Sequence, residues 1–340
     1  MSHLTTSSEV LAKAYDTALL DLDGVVYLGD QSIPGVISAL NDARDKHGMT
    51  LTCVTNNAAR SSESVAEKLQ GMGLAVTAVD VVTSAQAGAA ELAKLLPQGS
   101  RVFVLGSKDL AREVELVGLV ATQDPDVKSD AVIQGFWPDM PWRMLDYAAG
   151  ILHTGVPWVA TNMDLTIPTK HGTAPGNGSM VQALVNAVGR EPTLVAGKPE
   201  RPLMQQSIDR TGAKKPLVVG DRLDTDIWGA NNVGIDSLLV FSGVTSILEL
   251  IEAPMHLRPT FIAWDATDIL KAQIAAKVDG EVVTCGGWTL DNGDLMGQGD
   301  SLDAVRTVCV SHWTGTIPAE RAVEVLEAIG LNVRNPPVTY

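Results

Sequence analysis

Two aspartates one residue apart, Asp21 and Asp23, are the first residues of this sequence whose type and spacing suggest chemistry. They follow an apolar run, residues 18–20, whose continuous hydrophobicity is typical of a strand buried on both faces. Because ligands of open α/β sheets bind beyond the carboxyl ends of the strands, we expect both carboxylates at a functional edge. Two carboxylates this close need a cation, a shared proton or bulk water. Taken alone, the motif also fits a solvated turn at a strand end.

Polar residues follow three further apolar segments. Thr55 and Asn56 come directly after residues 50–54, and Lys198 lies in a G-K-P loop. Asp221 ends the fourth segment, with Asp226 five residues later. Carboxylate oxygens without a nearby set of histidines or thiolates suit Mg²⁺, so the pattern predicts a magnesium site at this edge.

This set of residues fits phosphoryl transfer. A metal ion and a lysine neutralise the phosphoryl oxygens, while a hydroxyl and backbone amides orient them. A carboxylate can attack in line and form an aspartyl-phosphate. A second acid two residues away can protonate the leaving alcohol and then activate water.

The pattern of strands and helices predicts the fold. Apolar strands alternate with helical segments over residues 17–84, and the alternation continues to residue 195 and beyond. This is the signature of a parallel α/β sheet wound by helices. From the pattern alone, one uninterrupted sheet and an inserted second α/β domain are both compatible. Beyond residue 270 the character changes: residues 281–285 and 304–310 are interpreted as strands, and residues 319–329 as an amphipathic helix closed by Gly330.

Composition narrows the range of partners. The 340 residues are 45% hydrophobic and 19% charged, with a formal net charge of −15. An acidic chain argues against nucleic acid or an anionic membrane as the main partner. Three widely spaced cysteines form no metal or disulfide pattern, and the first residues carry no signal peptide. We therefore expect a cytoplasmic protein acting on a small molecule, while its oligomeric state cannot be predicted.

Four ordered motifs, D-L-D-G-V, V-T-N-N, G-K-P and G-D-R-L-D-T-D, make the chain resemble the haloacid dehalogenase (HAD) superfamily of phosphatases. The large segment between the second and third motifs looks like the C2 cap of subclass IIA. The resemblance implies a Rossmann-like, doubly wound parallel-sheet core with an inserted α/β C2 cap and a small C-terminal α/β appendage. The corresponding domains are a flexible leader (1–16), the HAD catalytic core (17–84 and 195–268), the cap (85–194) and the appendage (269–340).

The resemblance also implies roles for the acids. Asp21 matches the nucleophile and a Mg²⁺ ligand. Asp23 matches the acid/base residue, with its backbone carbonyl on the metal; the dehalogenase branch lacks an acid there, which favours ester hydrolysis. Asp221 matches the third protein ligand, and Asp226 an acid beside the metal ligands.

The remaining motif residues match groups that bind the phosphoryl moiety. Thr55 and Asn56 match the pair that orients the phosphate, and Asn57 stands behind them. Taken alone, any of the three could cap a helix. Lys198 matches the lysine that steadies nucleophile and phosphate, although an isolated loop lysine is usually solvated.

The cap is expected to select the substrate. By resemblance the choice lies in residues 162–179, with Asn162, Asp164 and His171 as candidates, although the burial habits of histidine favour a surface position for His171. The whole chain looks most like bacterial glycerol-3-phosphate phosphatases, which implies a Mg²⁺-dependent phosphatase that converts glycerol 3-phosphate to glycerol and phosphate. The alternatives within the family are 2-phosphoglycolate, pyridoxal phosphate and nucleotide phosphatases. An alternative of another class is a non-catalytic HAD scaffold that binds or regulates.

Overall fold

The structure is a computed structural model that describes residues 4–169 and 172–336. One predicted cap residue, His171, lies outside the described residues. The chain divides into two compact units. The first unit consists of Met1–Cys53, Leu69–Ala75 and Ile208–Tyr340, and the second of Val54–Lys68 and Val76–Ser207. This division differs from the domain boundaries expected from the sequence, which stay a prediction.

The described residues form short strands and helices in alternation. The strands are β1 (Thr17–Leu20), β2 (Tyr27–Leu28), β3 (Gln31–Ser32), β4 (Thr50–Thr55), β5 (Val81–Thr83), β6 (Arg101–Leu105), β7 (Val120–Thr122), β8 (Ala131–Gln134), β9 (Trp158–Ala160), β10 (Thr166–Thr169), β11 (Gly172–Pro175), β12 (Leu194–Val195), β13 (Pro216–Gly220), β14 (Asp236–Val240), β15 (Phe261–Ala263), β16 (Lys277–Asp279), β17 (Val282–Cys285), β18 (Trp288–Asp291) and β19 (Asp294–Gly297). The α-helices are α1 (Leu11–Ala14), α2 (Val36–His47), α3 (Ser62–Gly71), α4 (Ser84–Leu95), α5 (Lys108–Leu116), α6 (Trp142–Leu152), α7 (Asn177–Val188), α8 (Arg201–Thr211), α9 (Trp228–Val233), α10 (Ile247–Ile251), α11 (Ser301–Trp313) and α12 (Ala319–Ala328). A π-helical turn spans Leu223–Ile227, and 3-10 turns span Ala78–Asp80, Met255–Leu257 and Ala266–Leu270.

A parallel sheet organises the first unit. Its strands lie in the order β15-β14-β13-β1-β4, and all neighbours in this series run parallel. In β1, Leu20 pairs with Val219 of β13 and Cys53 of β4. Since these strands are buried on both faces, they are almost entirely apolar, as expected for a parallel sheet covered by helices. Their carboxyl ends bring the residues after β1, β13 and β14 to one edge.

A second parallel sheet organises the second unit. Its order is β12-β9-β8-β6-β7. One face packs against α4 and α5 through a cluster that includes Leu92, Leu110 and Ile133. The other face packs against α6 and α7 through a cluster that includes Trp158 and Leu184. Together the two sheets confirm the α/β class predicted from the alternating pattern.

An antiparallel hairpin, β10–β11, precedes α7 in the second unit. The turn between α7 and the hairpin is fixed by backbone bonds: the Gly176 amide donates to the Leu165 carbonyl at 2.8 Å, and the Gly178 amide donates to the Asp164 carbonyl at 2.9 Å. Neither glycine has room for a side chain, since an added Cβ would lie within 2.3 Å of a carbonyl oxygen of Asp164 or Met163. The G-N-G sequence therefore closes this turn by close backbone approach.

The C-terminal segment belongs to the first unit. A four-stranded antiparallel sheet, β16-β17-β18-β19, packs with α11 and α12 in one apolar cluster that also contains Phe241 and Ile262. The interpretation of residues 304–310 as a strand was wrong, because they lie in α11. The Asp300 carboxylate caps this helix by accepting from the Leu302 amide at 2.9 Å, and almost every residue of α11 is buried, so the apolar run lacked the period that separates helix from strand.

The prediction that residues 1–16 form a flexible leader is corrected for the described part, residues 4–16. The Thr5 and Ser7 amides donate to the carbonyls of Thr260 and Gln273 at 3.1 and 2.9 Å. Leu4 and Leu11 are buried in the first unit. Apolar anchors separated by polar residues hold this segment without any continuous periodicity that the sequence could reveal. Within the described ranges, no helix combines the length and hydropathy needed to cross a membrane.

Candidate active site

Three carboxylates of the first unit converge at the edge of its sheet. Asp21 follows β1, Asp221 follows β13, and Asp226 lies in the π-helical turn beyond it. One ligand oxygen from each of the three lies within 4.8 Å of the other two. Asp221 and Asp226 are buried, and Asp21 is partly buried. Among the described residues this is the group of acids with the geometry of a metal site, and carboxylate oxygens are the ligands that Mg²⁺ and Ca²⁺ take.

Backbone groups hold Asp221 in place. Its Oδ2 accepts a hydrogen bond from the Val244 amide at 2.7 Å. Gly24 and Gly243 wall the carboxylate, because a Cβ added at either position would lie 2.5 or 2.0 Å from the same oxygen. The Ser242 hydroxyl donates to the Gly24 carbonyl at 2.7 Å and so fastens the two walls to each other. Sequence reasoning missed both glycine walls, because a steric limit of this kind has no local signature.

The π-helical turn positions Asp226. The Arg222 amide donates to Asp226 Oδ2 at 3.2 Å, and Gly220 passes so close that a Cβ there would lie 2.2 Å from Asp226 Cβ. A π-turn inserts one residue into the helical ladder and is frequent at functional sites. Sequence reasoning placed Asp226 beside the metal ligands, and in the structure one of its carboxylate oxygens lies within 4.8 Å of an oxygen of Asp21 and of Asp221.

Asp23 is exposed at the turn after β1, and its carboxylate is not part of this three-residue group. Its backbone is held through a bridge to Tyr27, and the Gly24 amide donates to the Tyr27 carbonyl at 2.8 Å. Gly24 has φ +85°, a conformation that glycine adopts without strain. The exposed carboxylate suits an acid/base group that must exchange protons with substrate and water.

In the second unit, Asn56 clamps the loop that carries Lys198. Asn56 Oδ1 accepts from the Lys198 amide at 2.8 Å, and Asn56 Nδ2 donates to the Lys198 carbonyl at 3.1 Å. The same Nδ2 lies 3.1 Å from Asp164 Oδ1. The sequence predicted no contact between Asn56 and Lys198, and the structure joins them through the backbone of Lys198.

Lys198 is buried, and its side chain reaches a backbone carbonyl of β4. Its Nζ donates to the Val54 carbonyl at 3.1 Å. A buried ammonium is stable only with acceptors or opposite charge nearby. The setting is therefore that of a fixed positive group, unlike the solvated loop lysine that an isolated K-P sequence would suggest.

Thr55 and Asn57 shape the turn after β4. Thr55 Oγ1 accepts from the Asn57 amide at 3.1 Å, and Asn57 Oδ1 accepts from the Ala59 amide at 2.8 Å. Both are local side-chain-to-backbone bonds of the Asx and Ser/Thr type. The alternative that one of these residues caps a helix does not hold, since α3 begins only at Ser62.

The cap candidates differ in exposure. Asp164 is partly buried and contacts Asn56, while Asn162 is 3% exposed and uses both ends of its amide within the protein. Asn162 Nδ2 donates to the Asn56 carbonyl at 2.7 Å, and its Oδ1 accepts from the Asp164 amide at 3.2 Å. Asn177, which sequence reasoning did not single out, donates to the Asn162 carbonyl at 2.7 Å.

Comparison with known proteins assigns the class. Residues 18–120 match a family described as haloacid dehalogenase-like hydrolase, and residues 195–269 match a second one described as HAD-hydrolase-like. The chain belongs to the haloacid dehalogenase-like hydrolase family, among its subclass IIA phosphatases.

Three individual relatives show which phosphatases this chain resembles. A D-glycerol 3-phosphate phosphatase of Mycobacterium tuberculosis is 40% identical over 314 residues, which are 89% of this chain and 87% of that protein. A crystal structure of a glycerol phosphate phosphatase from the same organism, in complex with magnesium, superposes with a TM-score of 0.85 at 38% identity, covering 96% of this chain and 99% of that one. A chloroplastic phosphoglycolate phosphatase of Arabidopsis thaliana is 34% identical over 79% of this chain and 80% of its own.

Proposed function

We propose that this protein hydrolyses a small phosphate monoester in a Mg²⁺-dependent reaction through an aspartyl-phosphate, and that its substrate is glycerol 3-phosphate. The observation that carries the proposal is the convergence of Asp21, Asp221 and Asp226 at the carboxyl ends of parallel strands. Structural acids in a fold are usually spread over the surface or paired with cations. Three carboxylates held this close are a preformed binding site for a cation.

The donor atoms of the site suit Mg²⁺. All three ligand atoms are hard carboxylate oxygens, and Asp221 is fixed in one orientation by the Val244 amide and the two glycine walls. Asp21 and Asp221 would hold the ion together with the Asp23 carbonyl, and Asp226 stands close enough to bind it directly or through water. The bound ion would supply positive charge for the phosphoryl oxygens, which a chain of net charge −15 does not otherwise offer.

Each residue of the site then has its own role in the reaction. Asp21 attacks phosphorus in line and displaces the alcohol, forming the acyl phosphate. Asp23 protonates the leaving oxygen and afterwards takes a proton from the water that hydrolyses the acyl phosphate. Lys198 balances the negative charge of the phosphoryl group, and Thr55 and backbone amides of its turn orient it.

The substrate proposal relies on the relatives. Likeness to glycerol phosphate phosphatases extends over nearly the whole chain, whereas the acid sugar phosphatase relative, matched over 98% of its own length, covers 76% of this chain. The phosphoglycolate phosphatase relative makes 2-phosphoglycolate the second candidate. We also propose a cytoplasmic location, which the three buried free cysteines favour because thiols persist in a reducing compartment.

Phosphate release from a panel of esters tests the function. The panel contains glycerol 3-phosphate, 2-phosphoglycolate, pyridoxal phosphate and a nucleoside monophosphate, each assayed with Mg²⁺ and with a chelator. We expect Mg²⁺-dependent release, with the highest kcat/KM for glycerol 3-phosphate. Asp21→Asn is expected to abolish turnover, whereas the matched control Asp45→Asn, at an exposed acid on α2, retains it.

Three outcomes would each contradict a different part of the proposal. A wild-type protein that releases phosphate from no ester would favour the binding or regulatory scaffold. A wild-type rate in Asp21→Asn would remove the nucleophile assignment while leaving a phosphatase. A preference for 2-phosphoglycolate would change the substrate and leave the mechanism intact.

A further inference from the structure

We infer that three asparagines, the partly buried Asn56 and the buried Asn162 and Asn177, form a hydrogen-bonded series that positions Lys198 from the cap. We call these three residues the asparagine relay. Its catalytic meaning rests on the proposed function, in which Lys198 neutralises the phosphoryl group. On this basis Asn162 and Asn177 are positioning residues that act through Asn56, and substrate contacts belong to other cap residues.

The first link is the clamp of Asn56 on Lys198. A primary amide that accepts from the N–H and donates to the C=O of one residue fixes the two peptide units on either side of that residue, as a neighbouring strand would. The contact requires glycine before the lysine, because a Cβ at Gly197 would lie 2.6 Å from both Asn56 Oδ1 and the Thr161 carbonyl oxygen. The G-K-P motif thus serves the clamp as well as the lysine.

The second link fixes the backbone of Asn56. Its carbonyl accepts from Asn162 Nδ2 at 2.7 Å and from the Ser84 hydroxyl at 2.6 Å. A carbonyl with both lone pairs used in short bonds has little freedom to rotate. Because the Asn56 side chain carries the Lys198 loop, a rotation of the Asn56 backbone would move that loop.

The third link connects Asn162 to the start of α7. Asn177 Nδ2 donates to the Asn162 carbonyl at 2.7 Å, and Asn177 is 2% exposed. The chain between Asn162 and Asn177 contains the β10–β11 hairpin. Asn162, at the start of the predicted specificity segment, is therefore bonded to Asn56, and Asn177, near the end of the segment, is connected to Asn56 through Asn162.

Because Asn162 and Asn177 are buried, we assign them a positioning role and not a contact with the substrate. Asn162 Nδ2 donates to the Asn56 carbonyl, and Asn162 Oδ1 accepts from the Asp164 amide. The residue is 3% exposed. Buried amides of this kind are costly to leave unsatisfied, so the bonds are held in one arrangement. A ligand would have to break them to reach the Asn162 side chain.

The test uses three variants of the full-length protein. Asn162→Ala removes the central link. Asn177→Asp keeps the volume but replaces the donor with a carboxylate that repels the Asn162 carbonyl, and the dipole of α7, which favours negative charge in the first turn, offsets part of the cost of burying it. Asn186→Ala, at an exposed position of the same helix, is the matched control.

Kinetics distinguish positioning from specificity. With Lys198 misplaced, we expect kcat/KM for glycerol 3-phosphate and for 4-nitrophenyl phosphate to fall by the same factor, about ten- to a hundredfold. In a Lys198→Ala background, Asn162→Ala should cause no further loss, because its effect passes through the lysine. A change in the ratio between the two esters, or an additive loss, would overturn the inference.

Hydrogen exchange of the Lys198 amide supplies a readout without turnover. This amide donates to Asn56 Oδ1, so we expect its exchange to become about fivefold faster in Asn162→Ala and Asn177→Asp, and unchanged in Asn186→Ala. Unchanged exchange of the Lys198 amide in Asn177→Asp would refute the relay. If Asn162→Ala does not fold, Asn177→Asp alone provides the test. If the wild-type protein hydrolyses no ester, the proposed function fails, and exchange at Lys198 still decides whether the relay exists.

Discussion

A single methyl group at position 243 is expected to disable the metal site. In the structure a Cβ added at Gly243 lies 2.0 Å from Asp221 Oδ2, whereas ordinary van der Waals contact begins at 3.4 Å. The backbone of Gly243 does not have a positive φ, so Gly243→Ala introduces no conformational strain of its own. The whole effect falls on the carboxylate of Asp221, which has to move by more than 1 Å or rotate away.

The magnitude follows from what that movement breaks. Overpacking of a rigid site costs about 1–3 kcal/mol. The charged hydrogen bond from the Val244 amide to Asp221 Oδ2, now 2.7 Å, contributes about 1.5–3 kcal/mol and would be lost or lengthened. Displacing a carboxylate ligand also lowers metal affinity, by about ten- to a hundredfold when a supporting contact is lost. We therefore expect both a lower free energy of unfolding and weaker Mg²⁺ binding.

Two measurements check this prediction. Isothermal titration gives the Mg²⁺ dissociation constant, and thermal unfolding with and without Mg²⁺ gives the stabilisation by the ion. Gly71→Ala is the matched control, because an added Cβ there meets no atom within 4 Å. Wild-type Mg²⁺ affinity in Gly243→Ala would refute the assignment of Asp221 as a ligand held by the glycine walls.

Three further predictions concern stability and reactivity. Arg306→Leu leaves the buried carboxylate of Asp303 without its 2.6 Å partner and is expected to lower the free energy of unfolding in urea by about 3–5 kcal/mol. The three cysteines are buried, and burial raises the pKa of Cys285 to about 12, so an aromatic disulfide reagent at pH 8 should modify them only after unfolding. Burial raises the pKa of Asp16, but hydrogen bonds from two backbone amides outweigh this and leave it below its ordinary value; Asp16→Ala should therefore lower stability at pH 7 by at most about 1 kcal/mol, measured by urea unfolding.

Each of these has a contrary outcome. An unchanged urea midpoint in Arg306→Leu would mean that the ion pair is offset by its desolvation. Rapid thiol titration of the folded protein would contradict the burial of the cysteines. For Asp16, the stability present above the unfolded-state pKa is lost as pH falls through the lower folded-state pKa, so a difference from wild type that persists at strongly acidic pH would point to a cause other than this carboxylate.

The sequence indicated the acids of the proposed metal site because their signal is local. Asp21 and Asp221 each follow a short apolar run that is typical of a buried strand, and the order of parallel strands brings such ends to one edge. Helix α11 shows the opposite case, in which the local pattern led to a wrong prediction. Residues 304–310 are all buried, the polar Arg306 and Thr307 included, so neither a period of two nor a period of 3.6 stood out and a strand was predicted.

What the sequence by itself determined, then, is the class of fold and the identity of the motif residues, since both depend on the residue types at the ends of apolar segments. Only the tertiary structure decided which atoms each motif residue uses. Asn56 binds the backbone of Lys198, and Asn162 is a buried support, because an amide takes whatever donor and acceptor the packed chain brings within 3 Å. Those partners lie more than a hundred residues away in the chain, where no local pattern can indicate them.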